Sequence, residues 1–92
     1  MKTLEHEIKK NGYKYTQLLL GEKAFIYRQD YLDGRVVSYE VFKRKEHKPY
    51  EIAGVYIDGG ESFPSNESFG KWAWTYPTYE QALIKYYEIS NV

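Results

Sequence analysis

Aromatic and polar residues alternate most regularly in the segment from Phe69 to Tyr76, whose sequence is FGKWAWTY. Side chains of a β-strand point alternately to its two faces, so Trp72, Trp74 and Tyr76 would share one face of a strand here. Pro77 follows and ends the strand, because proline has no N–H group to donate to a neighbouring strand. The segment therefore predicts a strand that carries both tryptophans of the chain and leads into a helix.

The C-terminal segment has the clearest helical pattern. Thr78-Tyr79-Glu80-Gln81 matches a capping box, in which the first and fourth side chains bond to each other's backbone N–H groups. Apolar residues then recur every three or four positions as far as Ile89, which predicts a helix with one apolar face. That face would carry Tyr79, Ala82, Leu83, Tyr86 and Ile89, whereas Lys85 and Glu88 would face water.

A short helix is also predicted at the N-terminus, from Thr3 to about Lys10. Thr3 can cap it, and Leu4 and Ile8 lie four positions apart, on one side of a helix. Asn11-Gly12 would end it, because glycine readily adopts the left-handed conformation found after helix C-termini.

Residues 13–44 predict three antiparallel strands joined by two tight turns. Gly21-Glu22 and Asp33-Gly34 are turn sequences, and they separate strands at Tyr13–Leu20, Lys23–Tyr31 and Val36–Arg44. With two-residue turns, the register follows by counting outward. The expected cross-strand neighbours are Phe42 and Leu18 for Phe25, and Val41 and Gln17 for Ile26.

Both faces of this three-stranded sheet are apolar in sequence. One face would collect Tyr15, Leu19, Ala24, Ile26, Val37, Tyr39 and Val41. The other would collect Leu18, Phe25, Tyr27, Val36 and Phe42. A sheet with one wet face usually alternates cleanly between apolar and polar residues, so we expect both faces to be covered.

The remaining segment, residues 43–68, is a charged connection followed by less regular structure. Tyr50–Ile57 predicts a further strand, in which Gly54 indicates a bulge or a close backbone approach. Residues 58–61 predict a turn, and residues 62–68 an irregular loop. The whole pattern predicts one α+β domain over residues 1–92. It consists of a short N-terminal helix, an antiparallel meander of about five strands, and a C-terminal helix packed on the sheet.

Composition excludes several function classes. The 92 residues include no cysteine, which excludes disulfides, thiolate zinc sites and cysteine nucleophiles. Thirteen basic residues balance thirteen acidic ones, so the chain lacks the basic excess typical of nucleic-acid binders. No apolar run approaches the roughly 20 residues of a membrane helix, and the N-terminus lacks the apolar core of a signal peptide. We therefore expect an intracellular protein with no membrane partner.

Two sets of residues are candidates for ligand contact. The first is the aromatic set Trp72, Trp74 and Tyr76, which could stack on nucleic-acid bases or form the core under the C-terminal helix. We favour the core, because alternating aromatic residues beside an amphipathic helix are usually buried. The second set is the basic cluster Lys43, Arg44, Lys45 and Lys48, which could contact phosphates or simply guard a strand end against aggregation.

No catalytic or metal-binding constellation is recognisable. The two histidines, His6 and His47, are far apart and lack metal-ligand spacing, and Ser65 and Ser68 lie outside any nucleophile motif. No segment brings together a base, a nucleophile and an oxyanion donor. We therefore expect a protein that is not an enzyme and that needs no cofactor.

Two segments carry a resemblance to known proteins. Residues 39–43 (YEVFK) and 63–74 (FPSNESFGKWAW) resemble a group of small uncharacterised proteins typical of Bacteroidetes genomes, their phages and other mobile elements. The resemblance covers roughly residues 36–90. It implies a setting in a phage or mobile element, and it implies no activity and no catalytic residues.

The expected function is therefore binding. The leading hypothesis is an accessory module of a phage or mobile element that acts through contact with another protein, or with itself as a homodimer. The eleven tyrosines favour it, because tyrosine supplies rigid contact area at protein interfaces. The alternative is single-stranded nucleic-acid or nucleotide binding through the aromatic set and the basic cluster. A small-molecule or structural role is the third possibility. The order of elements, sheet then helix, also resembles single-strand binding modules of the transcriptional-coactivator type, although fold does not imply function.

Overall fold

The computed structural model describes residues 3–91 as an α+β fold with one helix packed on a five-stranded antiparallel sheet. The strand order in this sheet is β1-β2-β3-β4-β9, and two further pairs, β5-β8 and β6-β7, lie outside it. The strands are β1 (Glu7–Lys10), β2 (Tyr13–Leu20), β3 (Ala24–Tyr31), β4 (Val36–Lys43), β5 (Glu46–His47), β6 (Tyr50–Ile52), β7 (Val55–Ile57), β8 (Gly60–Glu61) and β9 (Ala73–Tyr76). A 3-10 turn spans Asn66–Ser68, and helix α1 spans Tyr79–Ser90.

The meander of β2, β3 and β4 confirms the three strands predicted for residues 13–44. Their bounds differ from the predicted ones by at most one residue. The β3–β4 turn contains Asp33 and Gly34, and its glycine adopts a left-handed φ of 96°. The Asp33 side chain caps this turn by accepting a 3.0 Å hydrogen bond from the amide of Arg35.

The predicted register between β3 and β4 is correct from Ala24 to Gln29 and shifts by one residue at Asp30, which lies opposite Val36. Between β2 and β3 the predicted register is wrong. Phe25 lies opposite Phe42 as predicted, but its neighbour in β2 is Leu20 instead of Leu18. The β2–β3 loop has three residues, Gly21 to Lys23, which shifts the count, and β2 is irregular at Leu18. This irregularity exchanges the faces of Tyr15 and Leu18.

The predicted N-terminal helix is wrong, because its second half forms strand β1. Glu7–Lys10 pairs with β2, and Asn11 and Gly12 form the two-residue turn between them, with φ angles of 55° and 83°. Positive φ at both central residues is the geometry that Asn-Gly favours in hairpins. A two-turn helix is marginal without packing, whereas pairing satisfies the open edge of β2.

The region from residue 50 to residue 61 also differs from the prediction. Tyr50–Ile57 is a hairpin of β6 and β7 and not one bulged strand, because Ala53 and Gly54 have φ angles of 51° and 80° and reverse the chain. Gly60–Glu61, predicted as part of a turn, forms β8 and pairs with β5.

Both faces of the main sheet are covered, as predicted. We call the face under α1 the helix face and the opposite one the loop face. The helix face buries Ala24, Ile26, Val41, Ala82 and Ile89, with Leu18, Leu19, Tyr39, Trp74, Tyr76, Tyr79, Leu83 and Tyr86 around them. The loop face buries Tyr15, Phe25, Tyr27, Phe42 and Ala73, with Leu4, Ile8, Tyr13, Phe63, Phe69 and Trp72 around them.

The helix α1 confirms the C-terminal prediction. Thr78 is its N-cap and accepts a 3.3 Å hydrogen bond from the amide of Gln81. All five residues of the predicted apolar face pack on the helix face of the sheet. Glu88 is exposed as predicted, but the Lys85 side chain is only 22% exposed.

The segment that carries both tryptophans is only half strand. Residues 70–72 form a turn in which Gly70 has a φ of 87°, and β9 begins at Ala73. Trp72 therefore packs on the loop face, whereas Trp74 and Tyr76 pack on the helix face. The prediction that the three aromatic residues share one face is wrong, since Trp72 lies outside the strand whose alternation it assumed.

Candidate functional site

The candidate contact residues lie in several places. Trp72 and Lys45 lie together on the loop face side, with Lys45 Nζ 5.1 Å from the Trp72 ring centroid. Trp74, Lys43 and Arg44 line a groove beside α1. Tyr76 is half-buried on the helix face, and Lys48 is exposed in the connection between β5 and β6. The structure therefore does not bring the aromatic set and the basic cluster together as one surface.

The groove beside α1, called the basic groove below, has a volume of about 520 Å³. It is lined by Glu22, Lys23, Lys43, Arg44, Trp74, Lys85, Glu88 and Ile89. The Lys85 ammonium lies over the Trp74 ring, 4.2 Å from its centroid, and also 3.7 Å from a carboxylate oxygen of Glu88. A base could stack on this face of Trp74 only after the Lys85 side chain has moved away.

Arg44, although part of the predicted basic cluster, is held by the fold. Its Nε donates a 2.7 Å hydrogen bond to Glu61, and one terminal nitrogen donates a 3.0 Å bond to the carbonyl oxygen of Gly21. Its guanidinium also lies 5.3 Å from the centroid of the Phe25 ring. These contacts occupy the side chain, so its contribution to the groove is mainly its charge.

A second cavity lies on the loop face, at the side chain of Glu40, and is called the Glu40 cavity below. Its volume is about 610 Å³. The lining residues are Lys10, Asn11, Tyr13, Tyr15, Gln29, Glu40, Phe63, Pro64, Ser65, Asn66 and Phe69. Glu40 is in the middle of β4, opposite Tyr27 on β3 and Thr75 on β9.

The Glu40 side chain is largely buried, and no residue among 3–91 donates a hydrogen bond to its carboxylate, which opens onto the cavity. Glu40 is only 6% exposed. Burial raises its pKa to about 7, against a smaller opposing effect of the Lys10 ammonium. Burial is also the main reason that the pKa of Tyr15 is raised to about 12, and the charge of Glu40 adds to it. A carboxyl group with such a pKa, lining a cavity, is a candidate functional group.

Sequence reasoning did not single out Glu40. The available signal was its position: a lone acidic residue in the apolar run of β4, at the alternate position that faces the same way as Phe42. Strand alternation therefore places Glu40 inward as soon as Phe42 is known to be core. Because the pattern makes both faces of the predicted sheet apolar, it assigns Glu40 to neither.

The hairpin of β6 and β7 is the third notable feature. Seven of the eight residues from Tyr50 to Ile57 are exposed, and neither strand pairs with the main sheet. Cross-strand partners share a face, so Tyr50, Ile52, Val55 and Ile57 form one apolar face of the hairpin. Of these, Ile52 and Val55 are 62% and 57% exposed.

Over residues 3–91 no three His, Cys, Asp or Glu residues cluster as metal ligands would. The one helix in that range is too short and too polar to cross a membrane. Comparison of the chain with protein-family models, with curated proteins and with solved structures finds no match. The basic groove, the Glu40 cavity and the hairpin are therefore the candidate sites.

Proposed function

We propose that the protein is a non-catalytic binding module that acts through protein–protein contact, and that the hairpin is its contact element. The observation that carries this proposal is an apolar hairpin face standing outside the core, with Ile52 and Val55 more than half exposed. Isolated two-stranded hairpins are marginally stable in water, so further strands would stabilise this one.

The partner we propose is the hairpin of a second copy of this chain, paired through β7. This strand, Val55-Tyr56-Ile57, has neither a charge nor a proline to guard its open edge. The other edge is different, because β6 carries Glu51, and two such carboxylates would meet in a symmetric pairing of β6. Charge therefore favours β7 as the self-pairing edge.

The geometry of the hairpin sets the register of this pairing. The turn at Ala53 and Gly54 makes Ile52 and Val55 the pair whose backbone groups bond across it. Hydrogen-bonded and non-hydrogen-bonded pairs alternate along antiparallel strands, so the N–H and C=O groups of Tyr56 point to the open edge. Two copies would then pair about a twofold axis at Tyr56, which joins their apolar faces into one four-stranded sheet.

Sedimentation velocity over a range of concentrations tests the proposal. We expect the wild type to form dimers, Tyr56→Lys to be monomeric, and Tyr87→Lys to dimerise like the wild type. Tyr87 is a matched control, since it is 56% exposed on α1 while Tyr56 is 65% exposed on β7. A wild type that is monomeric at its solubility limit would overturn self-association, and a dimeric Tyr56→Lys variant would overturn the role of β7.

The setting that we propose, an accessory role in a phage or mobile element, rests on the motif resemblance of residues 63–74 alone. The non-catalytic part of the proposal rests on the sequence, in which no segment combines a base, a nucleophile and an oxyanion donor. The exposed hairpin supports the proposed protein–protein contact, and it gives no support for or against a role in a phage or mobile element.

A second candidate function, binding of single-stranded nucleic acid, is favoured by one observation. Lys43 and Lys85 line the same groove as Trp74, so two ammonium groups lie near an aromatic ring. Phosphate contacts from lysines and a stacked base are the two usual components of single-strand binding. Lys45, earlier grouped with Lys43, lies against Trp72 instead, so Lys85 takes its place in this hypothesis.

Titration of tryptophan fluorescence with an oligothymidylate tests this second function. Binding should quench the emission. The double variant Lys43→Ala with Lys85→Ala should make the plot of log K against log salt concentration shallower, by about 0.7 in slope for each lysine removed. Lys9→Ala with Lys71→Ala, two exposed lysines outside the groove, is the control and should leave the slope unchanged. Emission that does not change at low salt would reject nucleic-acid binding at this groove.

A further inference from the structure

The Glu40 cavity contains an acceptor that the fold leaves unpaired. Taking a carboxylate out of water is costly unless donors or a cation replace the lost hydration. Glu40 is 6% exposed, yet no described residue donates a hydrogen bond to it and no described cation lies within ion-pair distance. By contrast the other buried acids, Asp30 and Glu61, form ion pairs at 3.0 and 2.7 Å. Glu40 is therefore the exception among them.

The side chains of Tyr15, Gln29 and Ser38 bond to one another and not to Glu40. The Gln29 amide nitrogen donates to the hydroxyl oxygen of Tyr15 across 3.1 Å, and the Ser38 hydroxyl donates to the Gln29 amide oxygen across 2.9 Å. These bonds fix the wall of the cavity without involving Glu40. The carboxylate oxygens of Glu40 therefore remain available to accept a hydrogen bond from a ligand in the cavity.

Four aromatic side chains also line the cavity: Tyr13, Tyr15, Phe63 and Phe69. Aromatic ring faces attract cations through their quadrupoles. The protein's own Lys10 shows this attraction, because its Nζ lies 5.3 Å from the Phe63 ring centroid at the edge of the same cavity. Lys10 is exposed and makes no ion pair with Glu40, so a ligand cation can reach the carboxylate beneath it.

We propose that the Glu40 cavity binds a small organic cation, with an ammonium or amidinium group on the Glu40 carboxylate and an apolar part against Tyr15 and Phe63. A negatively charged ligand would be repelled by the Glu40 carboxylate. A metal ion would find one acidic ligand, since residues 3–91 offer no cluster of three. A volume of about 610 Å³ is within the range of small-molecule sites, roughly 300–1,000 Å³.

The titration of Glu40 can be measured separately from that of its neighbours, because few groups that face it titrate near pH 7. Lys10 faces it from the end of β1, Tyr13 and Tyr15 from β2, and Tyr27 from β3. Burial raises the pKa of both Tyr15 and Tyr27 above their ordinary value of 10.0, so these phenols stay neutral near pH 7. A bound cation should therefore act on Glu40 directly and lower its pKa.

The test uses benzylammonium as the probe and its uncharged counterpart, benzyl alcohol, as the matched control ligand. NMR of protein labelled with carbon-13 at glutamate carboxyl groups follows the titration of Glu40 itself. We expect benzylammonium to move the Glu40 titration to lower pH by about one pH unit, as an opposite charge in contact does. Benzyl alcohol should leave it in place.

Two variants extend the test to affinity. Glu40→Gln should weaken benzylammonium binding by at least about tenfold, the usual effect of losing a charge-assisted bond. Glu67→Gln, an exposed carboxyl in the loop over the same face, is the control and should leave binding unchanged. Lys10→Met should tighten binding, because it removes the ammonium that competes for the cavity.

Two results would overturn the proposal. One is equal binding of benzylammonium and benzyl alcohol, which would make the cavity a general apolar site. The other is a Glu40 signal that neither benzylammonium nor methylguanidinium moves in the folded wild type. Both readouts use the wild type, so they decide the question even if Glu40→Gln fails to fold.

Discussion

Arg44 Nε donates a hydrogen bond to Glu61 Oε2 across 2.7 Å, and this ion pair joins the end of β4 to strand β8. The other oxygen of the same carboxylate accepts a 3.1 Å bond from the amide of Leu4. The Glu61 side chain is 3% exposed, whereas that of Arg44 is 31% exposed. The buried carboxylate of Glu61 therefore connects three parts of the fold: the segment before β1, the end of β4 and strand β8.

Removing either partner of this pair should destabilise the fold. Replacing Arg44 with methionine leaves the Glu61 carboxylate buried beside one remaining donor, so we expect a loss of about 2 kcal/mol in the free energy of unfolding. This is below the 3–5 kcal/mol of fully buried pairs, because Arg44 is partly solvated. Urea denaturation of Arg44→Met, Glu61→Gln and the double variant measures the coupling. Strictly additive losses would show that the pair is not an energetic unit.

Glu40 should make stability depend on pH. Its pKa is raised from 4.5 to about 7, so the folded state holds a proton that the unfolded state has released between these values. Stability is therefore full below about pH 4.5 and falls as pH rises through 7. At about 1.4 kcal/mol per pH unit, the full loss over this interval is about 3.5 kcal/mol.

Urea denaturation at pH 5 and pH 8.5 measures this loss. Glu40→Gln should be less sensitive to pH over the same range and more stable than the wild type at pH 8.5, because its side chain never carries a charge. Glu67→Gln, at an exposed position, should retain the pH dependence of the wild type. The assignment to Glu40 fails if the Glu40→Gln profile has the same slope as the wild type.

Gly21 should not tolerate a side chain. A Cβ added there would collide with the hydroxyl of Tyr86, which helix α1 places against the β2–β3 loop. We expect Gly21→Ala to lose about 1–3 kcal/mol of stability, the usual cost of overpacking. Adding Tyr86→Leu should recover part of that loss, and differential scanning calorimetry of the single and double variants would show it. A fully tolerated Gly21→Ala would mean that Tyr86 moves aside freely.

The main sheet and the helix were predictable because their signals are local. Asp33-Gly34 gives the β3–β4 turn, and the spacing of Tyr79, Ala82 and Leu83 gives α1. The N-terminal strand was also predictable in principle, since Asn11-Gly12 is a strong hairpin signal. The helical spacing of Leu4 and Ile8 favours the competing interpretation, in which Asn11-Gly12 ends a helix.

Other features could not be read from the sequence. The irregularity at Leu18 depends on how β2 fits between two neighbours, and it reverses the face of Tyr15. Ala53 adopts a left-handed φ of 51°, which single-residue preferences disfavour, so the β6–β7 turn gave no signal beyond Gly54. The two cavities are formed by residues far apart in the chain, and only their contacts reveal them.

The backbone amide of Tyr56 gives the most direct test of the contact mechanism. It points to the open edge of β7, and in the proposed dimer it would bond to the carbonyl oxygen of Tyr56 in the second copy. The amide of Glu51 points to the open edge of β6 and would remain in water. These two amides are therefore an internal pair of probe and control on one hairpin.

Amide hydrogen exchange measured by NMR at low and high protein concentration distinguishes the alternatives. We expect exchange at Tyr56 to slow as concentration rises, whereas exchange at Glu51 stays fast at every concentration. Tyr56→Lys should exchange rapidly at position 56 under all these conditions. Exchange at Tyr56 that is fast and independent of concentration would contradict the proposed pairing of β7 with β7.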